Sequence, residues 1–271
     1  MTRAPRPKVV ALRLTAACAE KLVRQLAEVS ANVIIGHHAR KRMAGRDIDA
    51  IDVFRMLRTG SVDTEPIRTT RGEWQCKVTL KIRGGRSAGI VTIITSQPKA
   101  VSQNHRMGRL AMSKNTWRHA NEKAGHPLRY TECGLDGVYL ESGHEVVSTP
   151  YGKGVAVKNV GALLRAIGCN LARDKKTLTG KELRFLRKQM DFTQAELGCL
   201  VGLSGQQVAR WEKGEYEITG PAERLIRMLF LEHQGGHVDL RKLLQGLRDA
   251  PPHKTIVFEK TAKGWHAKKA A

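Results

Sequence analysis

Residues 179–214 read TGKELRFLRKQMDFTQAELGCLVGLSGQQVARWEKG, and this stretch decides the fold of the second half of the chain. Thr179 and Glu182, Thr193 and Glu196, and Ser204 and Gln207 each fit the capping box S/T-x-x-E/Q. In that motif a hydroxyl accepts a free backbone N–H of the first helical turn, while the Glu or Gln reaches back to the capping residue's own N–H. Each box opens a segment with helical apolar spacing, so three short helices are predicted. Leu183, Leu186 and Met190 line the first; Leu197, Leu200 and Val201 the second; Val208 and Trp211 the third. Gly202 falls in the turn between the second and third, and Gly198 is small where those two would cross. Thr219-Gly220-Pro221 starts a fourth helix, with the proline at a first-turn position where its missing N–H costs nothing. The spacing predicts a helix-turn-helix at 179–231 whose third helix faces a DNA major groove.

Upstream of it, residues 128–157 carry Tyr130, Val138, Tyr139, Val146, Val147, Val155 and Val157 among frequent glycines, which predicts short strands. Val160 to Ala172 reads as a helix. Downstream, helices run to about Leu247, Pro251-Pro252 ends them, and Thr255–Phe258 with Trp265–Ala267 suggests a closing hairpin. Residues 1–95 form a separate block. Leu14, Cys18, Leu22, Leu26 and Val29 mark one helix over 12–30, and Asp47 to Leu57 a second that stops at Arg58-Thr59-Gly60. Trp74 to Ile82 then alternates as a half-buried strand, Gly84-Gly85 signals a turn, and Gly89 to Thr95 supplies the return strand. Residues 96–127 are polar and basic without apolar period and read as a linker. The expected class is α+β: a small N-terminal α+β domain (1–95), the linker, and a mostly helical C-terminal region with short hairpins (128–271).

Charge narrows the partners. Lys plus Arg number 47 against 25 Asp plus Glu, a net +22 in 271 residues. Such an excess points to a polyanion, with double-stranded DNA first and RNA second. There is no apolar run of membrane-spanning length and no apolar signal-peptide block, so a cytoplasmic protein without a membrane partner is expected. The five cysteines (18, 76, 133, 169, 199) are odd in number and contain no C-x-x-C, which argues against disulfides and against a cysteine-built zinc site. No metal and no cofactor are expected.

The run Leu186-Arg187, Phe192-Thr193-Gln194-Ala195-Glu196-Leu197, Gly202-Leu203-Ser204 and Val208-Ala209-Arg210-Trp211-Glu212-Lys213-Gly214 resembles the repressor-type helix-turn-helix family. The resemblance implies that Ser204, Gln206, Gln207 and Arg210 face the groove, where Gln suits adenine and Arg guanine. It implies phosphate contacts for Gln194 and Lys213. Glu212 is expected to pair with Arg187, since a carboxylate beside phosphate is repelled. From Tyr130-Thr131-Glu132-Cys133-Gly134-Leu135-Asp136 to about Leu231 the chain also resembles antitoxin-like regulators of the MqsA type. Those carry cysteine pairs in a zinc domain, whereas Cys133 here stands alone.

In the first block, His38-Ala39-Arg40-Lys41-Arg42-Met43, Arg46-Asp47-Ile48, Gly60 and Trp74 with its antiparallel pair resemble a small family related to the RelE and MqsR toxins, which are RNases. Cleavage by a ribose 2′-oxygen needs a base, an acid and stabilisation of phosphorane charge. His38, or its neighbour His37, is a candidate for proton transfer. Arg42, Arg46, Arg71 and Arg86 are candidates for holding phosphate oxygens, and Arg42 and Arg46, four apart, share one face if that segment is helical. Residues 1–95 hold 18 basic and 8 acidic side chains, which suits RNA. The plain alternative is a solvated basic face. Two functions follow: a sequence-specific DNA-binding transcriptional regulator with a fused toxin-like domain, or a single-chain toxin–antitoxin with a latent RNase that represses its own operon. A homodimer is expected, joined through 238–247 and the strand at 255–258.

Overall fold

The structure, a computed structural model, describes residues 13–81, 87–95, 109–111, 127–236, 239–249 and 255–268. Helix α1 (Ala16–Glu28) starts where the Thr15 hydroxyl accepts the Cys18 N–H (3.3 Å). Its buried face is Ala19, Val23, Leu26 and Ala27, whereas Cys18 and Val29 are exposed. The leucine spacing therefore set the phase slightly off, because two alanines carry half of the buried stripe. Strand β1 (Val33–Gly36) leads into α2 (His37–Arg46), and α3 (Ala50–Thr59) follows. Asp49 caps α3 reciprocally with Asp52, and Gly60 closes it as expected.

Strands β2 (Ser61–Val62), β3 (Ile67–Arg68), β4 (Trp74–Lys81) and β5 (Ser87–Thr95) come next. In β4, Cys76 and Val78 are buried while Lys77 between them is exposed, the expected period of two. β4 and β5 pair antiparallel from Trp74 opposite Ile94 to Lys81 opposite Ser87. The Gly84-Gly85 turn and most of the 96–127 linker lie outside the described residues. Within the linker, however, Arg109–Ala111 forms a strand, β6, antiparallel to β5 and parallel to β1.

The second half contributes β7 (Leu128–Arg129), β8 (Val138–Leu140), β9 (His144–Thr149) and β10 (Gly152–Val157). Six helices follow: α4 (Val160–Asp174), α5 (Gly180–Gln189), α6 (Gln194–Leu200), α7 (Gly205–Lys213), α8 (Gly220–His233) and α9 (Leu240–Asp249). The hairpin β11 (Ile256–Thr261) and β12 (Gly264–Lys268) ends the described chain. Two sheets result. The larger runs β2-β4-β5-β6-β1-β10-β9, with β3 also on β4; the smaller runs β12-β11-β8-β7.

β1 pairs antiparallel with β10, Ile35 opposite Val155 and Gly36 opposite Gly154, so one sheet spans both sequence blocks. The buried Ser30 hydroxyl reinforces the joint, donating to the Val157 carbonyl (2.8 Å) and accepting the Val160 N–H (3.0 Å). One apolar cluster reaches from Ala19 on α1 to Trp265 on β12. Ile34, Val147 and Ala156 form a small second cluster, in the opposite side-chain phase of β1 from Val33 and Ile35.

At the junction of the blocks, the Lys188 ammonium of α5 meets Asp49 (2.7 Å) and Asp52 (2.5 Å), with all three side chains nearly buried. Burial, ahead of the attraction of Lys188, pushes the Asp49 carboxyl above its ordinary range. Arg55 pairs with Asp191 (2.7 Å) and Arg184 with Asp47. Farther on, the fully buried Arg227 of α8 donates to the Leu171 (2.5 Å) and Ala172 (3.2 Å) carbonyls at the end of α4 and pairs with Glu223. Those carbonyls lack partners within their own helix, so the cation satisfies the helix end. The strand proposed for a dimer surface is taken up internally: β11 has β12 on one edge and β8 on the other, and Phe258 is fully buried.

Candidate nucleic-acid interface

α5, α6 and α7 begin where the capping pattern places them. Glu182 accepts the Thr179 N–H (2.8 Å). Thr193 and Glu196 form both bonds of their box (3.1 and 2.6 Å). At α7 only the first half of the box forms among the described residues: the Ser204 hydroxyl accepts the Gln207 N–H (3.2 Å). Leu183, Leu186, Met190, Leu197, Val208 and Trp211 are all buried. Leu200, expected inside, is 48% exposed, because α6 ends at that residue and its last turn leaves the interface.

The α6–α7 turn is tight for a stated reason. Gly202 has φ +72°, a conformation that favours glycine. A Cβ on Gly198 would lie 2.8 Å from the Gly205 nitrogen, the Leu203 oxygen and the Ser204 carbonyl carbon. A Cβ on Gly205 would lie 2.8 Å from the Ala195 Cα. A glycine on each helix thus lets the two backbones approach closely. Beneath them, Arg187 donates twice to Glu212 (2.5 and 3.0 Å) and once to the Phe192 carbonyl (2.7 Å), and Gln194 donates to the same Glu212 (2.8 Å). This network fixes α7 against α5 and the start of α6 and keeps the Glu212 carboxylate inside the domain.

The side chains left outside are those of α7. Gln206 and Arg210, one turn apart, are exposed; Gln207 is half-buried; Ser204 is exposed with its hydroxyl engaged in the cap. Lys213 is exposed, 3.6 Å from Glu215. Gln194, expected at a phosphate, is half-buried and donates from its amide to Glu212.

A second basic feature lies in the first block. α2 carries His38, Arg42 and Arg46 at successive turns, all three exposed. They line one cavity of about 440 Å³ together with Gln75 and Lys77 of β4, Val91 and Ile93 of β5, and Tyr151 from the turn between β9 and β10. His37 does not line it. Arg71 is turned away onto the Pro150 carbonyl (2.8 Å) and over the Tyr151 ring (5.4 Å), and Arg86 lies outside the described residues. Lys77 and Tyr151 escaped the sequence reading. Lys77 was discoverable, since it holds the outward phase between Cys76 and Val78; Tyr151 comes from far beyond both strands it faces, after the whole 96–127 segment. Among the described residues, no group of three or more His, Cys, Asp or Glu could hold a metal ion, and no helix is long and apolar enough to cross a membrane.

Residues 183–222 match the helix-turn-helix family. No curated protein and no solved structure matches the chain. The matched segment runs from α5 into the first turn of α8, so the chain carries a DNA-binding helix-turn-helix.

Proposed function

We propose that the protein is a sequence-specific transcriptional regulator, with α7 as its reading helix and the first block as a sensing or interaction module. The observation that carries this is the sorting of charge on α7. Gln206 and Arg210 are exposed on one face, while Glu212, the acid of the helix that would repel phosphate, is withdrawn onto Arg187. Gln and Arg are the side chains that read adenine and guanine bidentately, and Lys213 at the helix end suits a phosphate. The proposed form on DNA is a dimer reading two half-sites about 34 Å apart. Selection of bound duplexes from a random library by the full chain should enrich one motif with two-fold symmetry. Enrichment of no motif refutes sequence-specific reading, and an asymmetric motif refutes the dimer.

The α2 cavity favours a second reading, the single-chain toxin–antitoxin. His38 would transfer a proton during attack of the 2′-oxygen, and Arg42, Arg46 and Lys77 would hold the charged phosphate. Tyr151, contributed by the antitoxin-like half, forms one wall of this site and is bonded to Glu73. In this reading the full chain leaves RNA intact, Tyr151→Ala gains cleavage, and Tyr151→Ala with His38→Ala loses it again. A Tyr151→Ala protein that folds and leaves total RNA uncut decides against it.

A further inference from the structure

α7 ends in a cap that folds the chain back on the reading helix. Gly214 takes φ +75°, its N–H bonds to the Trp211 carbonyl (3.0 Å), and the Glu215 N–H bonds to the Arg210 carbonyl (3.0 Å). These are the two bonds of a Schellman motif. They reverse the chain against the last turn of α7 and bring Tyr216 beside Arg210, six residues back. The guanidinium carbon sits 5.8 Å from the centre of the Tyr216 ring, within range of a cation–π contact.

Tyr216 has no part in the core. It is 59% exposed and lies outside the apolar cluster that holds Trp211, five residues earlier. The Arg210 guanidinium makes no hydrogen bond or ion pair among the described residues; the nearby acid, Glu215, is paired with Lys213 instead. The Tyr ring therefore engages the guanidinium through its charge and leaves the five N–H donors free of hydrogen bonds within the protein. An ion pair would have held the side chain by spending those donors. A cation–π contact restricts the rotamers of a long side chain before DNA arrives, so less is lost when the fork closes on a base.

We propose that Tyr216 is a positioning residue for base recognition: it holds the Arg210 fork in the orientation that reads its base pair. The proposal rests on the reading of Arg210 as a base-contacting residue. An exposed cation–π contact corresponds to an effect of about two- to fivefold in affinity. The test uses the full chain and the duplex enriched from the random library, with every single base-pair substitution of that duplex. Affinities are measured for the wild type, Arg210→Ala, Tyr216→Ala and Tyr216→Phe. Arg210→Ala should flatten preference at one base pair per half-site. Tyr216→Ala should lower discrimination about two- to fivefold at that same base pair, leaving the other positions and the salt dependence unchanged. Tyr216→Phe, which keeps the ring, should retain it. Unchanged discrimination in Tyr216→Ala, or a uniform loss across all positions, overturns the positioning role while the base-reading role of Arg210 stands. Intact preference in Arg210→Ala overturns both.

Discussion

The glycine crossing of α6 and α7 lends itself to a quantitative test, Gly198→Ala. On an open helix this exchange stabilises, because alanine has the higher helix propensity by about 1 kcal/mol. Gly246 supplies that reference: it lies inside α9, and a Cβ there would meet nothing within 4 Å. At Gly198 the new Cβ would meet three backbone atoms at 2.8 Å, where ordinary contact begins near 3.4 Å. Relief needs a separation of about 0.6 Å, and since all three neighbours are backbone, no side-chain rotation provides it. Overpacking of this kind typically costs about 1–3 kcal/mol, which exceeds or cancels the propensity gain. Gly246→Ala should therefore raise the urea midpoint. Gly198→Ala should leave it unchanged or lower it by up to about 2 kcal/mol of stability and should weaken binding to the enriched duplex, because the shift is passed directly to α7. A Gly198→Ala protein as stabilised as Gly246→Ala, with DNA affinity intact, would show that the helices do not cross as closely as the geometry states.

Three further outcomes are expected. Lys213→Ala should weaken binding on every duplex sequence and reduce the slope of log affinity against log salt by about one; an unchanged slope removes Lys213 from the phosphate contacts. Alkylation of the native protein at pH 8, mapped by peptide mass spectrometry, should modify the exposed Cys18 and Cys199 and spare Cys133, which is buried with its thiol pushed up to about 12; early labelling of Cys133 contradicts its burial. Burial, opposed by Arg40, raises the Glu132 carboxyl, so the folded chain holds that proton more tightly than the unfolded chain and favours folding at low pH. This contribution is lost as pH rises from about 4.5 through the raised value. Urea midpoints of the wild type should accordingly fall over that window relative to Glu132→Gln, and parallel curves refute the shift.

The parts legible in the sequence were those encoded within a few residues. Thr179 with Glu182 and Thr193 with Glu196 announce helix starts because both partners of each capping bond are local, and Gly202 announces its turn by a single φ. α2 was hidden because only Ala39 and Met43 of its ten residues are buried, leaving no apolar period to read. β6 was hidden for a different reason. Three residues in a basic run become a strand only because β5 and β1 offer free edges on either side, and neither partner is near in sequence. The same holds for Tyr151 in the α2 cavity and for the bond from Gln194 to Glu212. Each depends on which element the fold brings opposite, a choice made by long-range packing rather than by the residue's own spacing.

The arrangement also gives the two basic features a common mechanical part. α2, which carries His38, Arg42 and Arg46, ends at Arg46, and the next residue, Asp47, closes it at φ +60°. That same Asp47 receives Arg184 of α5 at both its carboxylate and its backbone carbonyl (3.1 Å for the latter). Two residues on, Asp49 begins the buried cluster with Asp52 and Lys188. Such a cluster is a weak source of stability but an exacting one: removing one partner strands the others in a dry site at a cost of about 3–5 kcal/mol. α5 is thus held by the segment that terminates the cavity helix, and α5 in turn holds α7 through Arg187 and Glu212. α5 thus joins the two features, through Arg184 and Asp47 on one side and Arg187 and Glu212 on the other.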